Sequence, residues 1–248
     1  MTMHPDWIVP DWPVPSGVRA IITTRAGGVS RRPYDSFNLG VLVGDDPAAV
    51  AENRARLRAV LPSDPVWLRQ VHGADVVDAD AHPELPHADA SIASRAGTVC
   101  VIQVADCIPV LFADRTGSTV AAAHAGWRGL AAGVLAHTVQ AMAARGTAPC
   151  DILAHIGPGI GPDAFEVGAE VRAAFTAQDD EAAHAFKPKA EGKWMANLHW
   201  LARRALERAG VTHIYGNPLC TVSDPSRFYS YRRDKITGRM AALIWRTS

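Results

Sequence analysis

Net charge is the first thing this 248-residue chain lacks: 25 lysines and arginines stand against 25 aspartates and glutamates. Balance on that scale gives no field to gather nucleic acid or an anionic membrane surface. Apolar runs long enough to span a bilayer are also missing. The first residues, Met1-Thr-Met-His-Pro-Asp-Trp-Ile, lack the basic and apolar regions of a secretion signal, so a cytoplasmic protein is expected. Cysteine is scarce. Cys100, Cys107, Cys150 and Cys220 show no Cys-x-x-Cys spacing, which excludes a small-domain disulfide framework and favours reduced thiols. Internal repeats and low-complexity tracts are absent. Ten histidines are present, but never as His-x-His, the pairing a trinuclear copper centre needs.

What is present is a pattern of short apolar segments and helical stretches. Residues 18–24, 66–71, 75–77, 99–104, 110–112, 119–123, 152–156 and 240–245 read as strands. Pro109 is expected to interrupt the ladder between two of them. Asp46-Pro47 followed by Val50, Arg54, Leu57 and Leu61 predicts a capped helix. Helices are also expected over 129–144, 166–175 and 197–209. Residues 80–89 form a polar, proline-bearing loop, and 178–192 is the most surface-like stretch. Motifs of one site lie on both sides of each, so one domain over 1–248 is expected, with 1–17 as an N-terminal extension. Helices and strands mix without a strict βαβ rhythm, which argues for α+β over a doubly wound sheet.

Three residues of metal-ligand type sit in compact apolar segments: His72 in Gln-Val-His-Gly, Cys107 in Ala-Asp-Cys-Ile-Pro, and His124 in Ala-His-Ala-Gly-Trp-Arg-Gly. Each alone has a plainer reading, as a surface His, a buried apolar Cys and a core His. Together, two His and a Cys fill three corners of a zinc tetrahedron and leave the fourth for water or substrate. Ala123, Ala125 and Gly126 beside His124 leave room for a ligand. His82 and His87 share a loop and read as a solvated pair. Arg25, Arg54, Arg128 and the pair Arg232-Arg233 lie within motifs, and Arg25 and Arg128 are followed by glycines that would let backbone approach phosphate. Gly157-Pro-Gly-Ile-Gly161 lacks the Lys-Ser/Thr of a phosphate loop and reads as a turn into the helix at Glu166.

The same segments carry a resemblance. Thr23-Thr-Arg-Ala-Gly-Gly28, Ser36-Phe-Asn-Leu-Gly40, Val43-Gly-Asp-Asp-Pro47, the three ligand motifs, Ile156-Gly-Pro-Gly-Ile-Gly161, Phe165-Glu-Val-Gly168, Cys220-Thr221, Phe228-Tyr-Ser-Tyr-Arg-Arg-Asp234 and Thr237-Gly-Arg239 follow one another in order. The chain thus resembles the laccase-domain family. That family is also called YfiH-type or multicopper polyphenol oxidase, and is now described as purine nucleoside phosphorylases. The absence of a cysteine pair in 161–165 makes it most similar to the proteobacterial branch. The resemblance implies an α+β sandwich of mixed sheets flanked by helices, with the metal on His72, Cys107 and His124. It also implies phosphorolysis of adenosine, inosine, guanosine and methylthioadenosine, with deamination of adenosine beside it.

Zinc is the expected metal, with copper possible in the same mononuclear site. Cys107 and His124 serve catalysis as ligands, and Asp106 is the candidate for proton transfer, or else for orienting a ligand His. Arg25, Arg54 and Arg128 are expected in one anion pocket, with Arg233 a fourth. Asn38 and Gln70 are expected to hydrogen-bond ribose or the base edge. The partners are a purine nucleoside and phosphate, and a monomer is expected. The alternative is a peptidoglycan-editing amidase acting on a muropeptide precursor, its carbonyl attacked at zinc and its diphosphate held by the arginines. Polyphenol oxidation and a non-enzymatic, purine-responsive role are weaker alternatives.

Overall fold

The computed structural model describes residues 3–81 and 85–247; His82 lies outside them. A central six-stranded sheet is built from Val76–Asp78 (β3), Ala90–Ala93 (β4), Ile108–Asp114 (β6), Val120–Ala125 (β7), Ile152–Ile156 (β8) and His213–Tyr215 (β12), in the order β12-β8-β6-β7-β4-β3. A four-stranded sheet of Val18–Ile22 (β1), Pro65–Val66 (β2), Val99–Val104 (β5) and Met240–Arg246 (β13) runs β1-β13-β5-β2. Both mix parallel and antiparallel pairs.

Period-two alternation explains how the two sheets stack. Leu111 and Ala113 of β6 and Ala122 of β7 face Ile102 and Val104 of β5 and Ala242 and Ile244 of β13, which makes one apolar layer. The opposite face of β6, Val110 and Phe112, meets Val134, Leu135 and Val139 of the helix Val134–Ala143 (α3) and Leu201 of the helix Leu198–Arg208 (α5). On the far side of the four-stranded sheet, Val99 and Val101 pack against Leu57 of the helix Pro47–Arg58 (α1) and against Trp7 and Phe37. Strands buried on both faces lose the polar-apolar alternation of a solvated sheet. That is why β5, β6, β8 and β13 read as nearly continuous apolar runs.

The α+β sandwich of mixed sheets holds, and several local expectations change. Pro109 does not interrupt the ladder. It lies second in β6, opposite His124, and its carbonyl accepts from the Gly157 N–H at 2.9 Å. Near the start of a strand, a missing N–H costs little. The helix expected over 129–144 is two, Trp127–Ala131 (α2) and α3, parted at Gly133 with φ 92°. The stretch 166–175 opens as the strand Glu166–Gly168 (β9) before the helix Ala169–Thr176 (α4). Residues 67–71 are loop, not strand. The surface-like stretch contains the strand Phe186–Ala190 (β10), which forms a hairpin with Lys193–Ala196 (β11) just beyond it, and β11 pairs with β9 in a third sheet. A short helix, Tyr231–Asp234 (α6), precedes β13. The N-terminal segment is part of the core. Trp7 sits 5.0 Å from the Phe37 ring, and Ile8 exchanges two 2.8 Å backbone hydrogen bonds with Ile22, which covers an outer edge of β1.

His155 on β8 and His199 on α5 are 7% and 8% exposed, and burial pushes both imidazoles from 6.5 down to about 4. Between those values the unfolded chain takes up protons that the folded chain refuses. Stability is therefore full above about 6.5 and falls as pH drops through the window, by about 3 kcal/mol per histidine. Urea unfolding at pH 7 and pH 4.5 should show this loss, and His155→Leu and His199→Leu should each reduce it. Acid sensitivity undiminished in both variants would refute the assignment.

Candidate metal and anion site

The site begins with the register of β6 against β7. Ile108 pairs with Ala125 and Pro109 with His124, so Cys107 falls opposite Gly126 just beyond the ladder. A β-carbon on Gly126 would stand 2.8 Å from the Cys107 Sγ and 3.0 Å from the His72 ring. The room left by that glycine is thus taken by the ligand side chains themselves, not by a substrate. His72 comes from the loop after β2, in a left-handed conformation with φ 60°. The ligand atoms of His72, Cys107 and His124 all lie within 4.8 Å of one another. The Cys107 Sγ is 3.9 Å from the His72 Nε2, and the two imidazoles stand edge to face at 4.9 Å between centroids.

Asp89 organises this group, and nothing in the sequence pattern singled it out. It immediately precedes β4, and its carbonyl accepts from the His124 N–H at 2.7 Å. Its carboxylate meets the His124 Nδ1 at 2.8 Å and accepts from the N–H groups of Val71, His72 and Gly73 at 3.0, 2.9 and 2.7 Å. Burial works to raise the Asp89 pKa, but these bonds and His124 hold it below the ordinary carboxylate value. With Nδ1 engaged, Nε2 of His124 is the nitrogen left to bind a metal. Burial also works to raise Cys107, yet His124 and His72 beside it draw the thiol down to about 6. At neutral pH it is a thiolate, the form that ligates. Two imidazoles and a thiolate converging with an open side fit a tetrahedral cation such as zinc.

Around the triad opens a cavity of about 590 Å³. Of the arginines expected there, Arg54 and Arg128 line it. Arg25 and Arg233 do not; they border a separate depression and are consumed in structure. Arg25 donates to the carbonyls of Asp35 and Pro225 and lies 4.9 Å over the Tyr229 ring. Arg233 donates to the carbonyls of Thr221, Val222 and Phe228. The glycines after Arg25 serve packing rather than a ligand: a β-carbon on Gly27 would meet the His4 ring at 2.7 Å. In their place come Arg69, Arg232 and Arg239. Of the adjacent pair 232–233, only the first faces the cavity.

Asn38 is fully buried and takes no part in the lining. Its amide joins Gly40, Asp45 and the Arg239 N–H. Gln70 borders the cavity, but its amide both donates to and accepts from the Gln103 backbone at 2.9 and 2.7 Å, which ties the His72 loop to β5. Asp106, at φ 92°, has both carboxylate oxygens occupied, one by the Thr221 hydroxyl and one by the Arg232 N–H, each at 2.6 Å. That geometry makes it an anchor for α6. The orienting of a ligand His, the alternative role expected of Asp106, falls to Asp89, whose carboxylate meets His124. Among the described residues His87 has no place in a metal cluster.

Residues 19–247 match the family model described as multi-copper polyphenol oxidoreductase laccase. The chain belongs to this family. It is 55% identical over 240 residues to a purine nucleoside phosphorylase of Pseudomonas aeruginosa, covering 96% of this chain and 98% of that one. It is 54% identical over 241 residues to the purine nucleoside phosphorylase YfiH of Escherichia coli, with the same coverage. The crystal structure of Neisseria meningitidis protein NMB0706 superposes with a TM-score of 0.93 at 48% identity, over 98% of this chain and 100% of that one. YlmD of Geobacillus stearothermophilus gives 0.92 at 34%, over 100% and 98%. The family's copper description meets a mononuclear donor set here. His72, Cys107 and His124 are the one cluster of three such donors among the described residues.

Replacing Asp89 by Asn turns one of its two accepting oxygens into an NH2 donor and removes the charge, so two of the four groups it holds lose their acceptor. Metal affinity should fall about 10- to 100-fold. Competition with a chromogenic chelator would measure it, and a variant that retains metal as the parent does would count against the role of Asp89. Gly126→Ala should lose metal too while remaining folded, because the new methyl displaces Cys107 or His72.

Proposed function

We propose that this protein is a zinc-dependent purine nucleoside phosphorylase acting on adenosine, inosine, guanosine and methylthioadenosine, with adenosine deamination at the same centre. One observation carries this reading: the open His-Cys-His triad shares its cavity with five arginines, none of which forms a salt bridge among the described residues. The one carboxylate in the described lining, Asp106, is already engaged at both oxygens. Unneutralised guanidinium groups in a concave site suit an anionic reactant such as phosphate. Trp127, Phe165 and Ile160 supply apolar wall for a flat base. The names of the relatives from Pseudomonas and Escherichia support the same activity. They lend nothing to the amidase reading.

In phosphorolysis a phosphate oxygen bonds to ribose C1′ as the C1′–N9 bond breaks, and its electron pair leaves with the purine, which is protonated as it departs. The chain's part is to hold the anion against C1′ and to exclude competing water. Arg54 and Arg128 are the expected phosphate contacts that border the cavity. The Arg128 guanidinium lies 4.5 Å over the Trp127 ring, which limits the directions it can take. Asp106 holds the backbone of Arg232, so that this arginine enters from a fixed point. Zinc on the triad would make a water acidic enough to act as a nucleophile near neutrality, the chemistry that deamination requires.

Metal-replete protein should release free base from all four nucleosides only when phosphate is present, and form inosine from adenosine without it. Chromatography of the products reads both. Cys107→Ala and His124→Ala should abolish inosine formation. Arg128→Ala should lower phosphorolysis about tenfold and deamination much less. Protein loaded with metal yet inert towards every purine nucleoside would end this reading.

A further inference from the structure

Two of the five cavity arginines differ from the rest. Arg69, Arg128 and Arg232 are exposed, whereas Arg54 and Arg239 are half-buried. Both of these pack on the same short segment, Leu39–Gly40. The Arg54 Nε donates to the Leu39 carbonyl at 3.0 Å, and its guanidinium carbon lies over the Trp67 ring, 3.8 Å from the centroid. The Arg239 stem crosses Gly40, where a β-carbon would come within 2.8 Å of its Cγ. Its guanidinium donates to the carbonyls of Thr237 and Gly238 at 3.0 Å. Asn38 ties the pieces together: its Oδ1 accepts from the N–H groups of Gly40 and Arg239 at 2.9 and 2.8 Å, and its Nδ2 donates to Asp45. The buried Asn53 in turn donates to the Asn38 carbonyl.

Every protein acceptor of these two guanidinium groups is a neutral carbonyl, and neither has a carboxylate partner among the described residues. Burial accordingly lowers the pKa of both, Arg54 to about 10. Half-buried cations without a counter-ion cost stability, and folds neutralise or pair them unless something else is to be bound. Arg239 also lies within Coulombic reach of Cys107 and Asp106, which puts this charge on the metal side of the cavity.

We propose that Arg54 and Arg239, carried on the Leu39–Gly40 segment, form a dedicated seat for a tetrahedral oxyanion of the phosphate class beside the metal triad. Arg128 and the other exposed arginines steer from the rim, and Asn38 is a positioning residue that acts through Gly40 and Arg239. This deepens the phosphorylase reading, since the seat would hold the attacking phosphate.

Isothermal titration of metal-replete protein with inorganic phosphate tests the seat without requiring turnover. One phosphate per chain should bind, and Arg54→Met and Arg239→Met should each weaken it at least tenfold. Arg239→Lys should bind with intermediate affinity, because it retains charge but loses the fork. Arg95→Met, on a distant turn, should bind as the parent does. Circular dichroism establishes folding first. Where a methionine variant does not fold, the lysine variants at 54 and 239 decide, and parent-like phosphate affinity in both overturns the seat. Absence of phosphate binding to the parent protein also overturns it. Phosphate-dependent turnover with KM for phosphate unchanged in Arg239→Met would remove the seat and leave the phosphorylase reading standing. Tight, arginine-dependent phosphate binding in a protein inert on nucleosides would do the reverse.

Discussion

A single carboxylate carries the geometry on which this site depends. Asp89 is buried between β4 and the His72 loop, and four groups converge on its two oxygens: three successive backbone N–H groups and the His124 imidazole. Three consecutive N–H groups can face one anion only if the chain curls around it, and the left-handed φ of His72 is what that curl demands. The strain at His72 is thus offset by charge-assisted hydrogen bonds. One interaction settles where the His72 backbone lies and which nitrogen of His124 is free. A carboxylate held this way, sealed from water, is well placed only while all its partners are present. The loop and the ring are consequently coupled, and losing either partner leaves the other without support.

The sheets supply the remaining coordinates. Cys107 needs no carboxylate to place it, because antiparallel pairing of β6 with β7 sets it opposite Gly126. Gly129 then lets α2 close against Gly73, whose carbonyl would lie 2.6 Å from a β-carbon there. The Arg128 backbone is therefore fixed by the same packing that seats the metal loop. The His-Cys-His triad and the rim of the arginine-lined cavity share supports, and a change at the triad should be felt by the arginines.

The ligand triad was legible in the sequence because each member sits where an apolar run breaks beside Gly or Pro, a local signal. The long buried strands were legible too, since β5, β8 and β13 have both faces covered. Asp89 was not legible. It lies in a polar, proline-bearing loop without periodicity, and its meaning comes from standing across a strand pair from His124, 35 positions away. The arginines divide for a similar reason. Arg25 carries the more inviting local context, Ala-Gly-Gly, but those glycines answer to His4 and to the Ser36–Phe37 backbone. Arg239 has a plain Thr-Gly before it and reaches the cavity only because β13 returns next to β5, whose end leads to Cys107. Local composition reports what the backbone can do; sheet order reports what a side chain can reach.

Charge on this protein is balanced globally, yet five arginines without a salt bridge among the described residues gather at one cavity. Arg25, Arg56, Arg58, Arg145, Arg204, Arg208, Arg227 and Arg233 all have carboxylate partners. The five at the cavity have none among the described residues. Surface pairs contribute little to stability, so pairing elsewhere is not what holds the fold together. Its consequence is electrostatic: paired charges cancel at a distance, whereas the five gathered at the cavity add to one local field there. A divalent cation on the triad would neutralise the thiolate of Cys107 and leave that field in place. A chain with no net charge can in this way present a strongly cationic mouth, so a neutral total does not exclude a small anion as reactant.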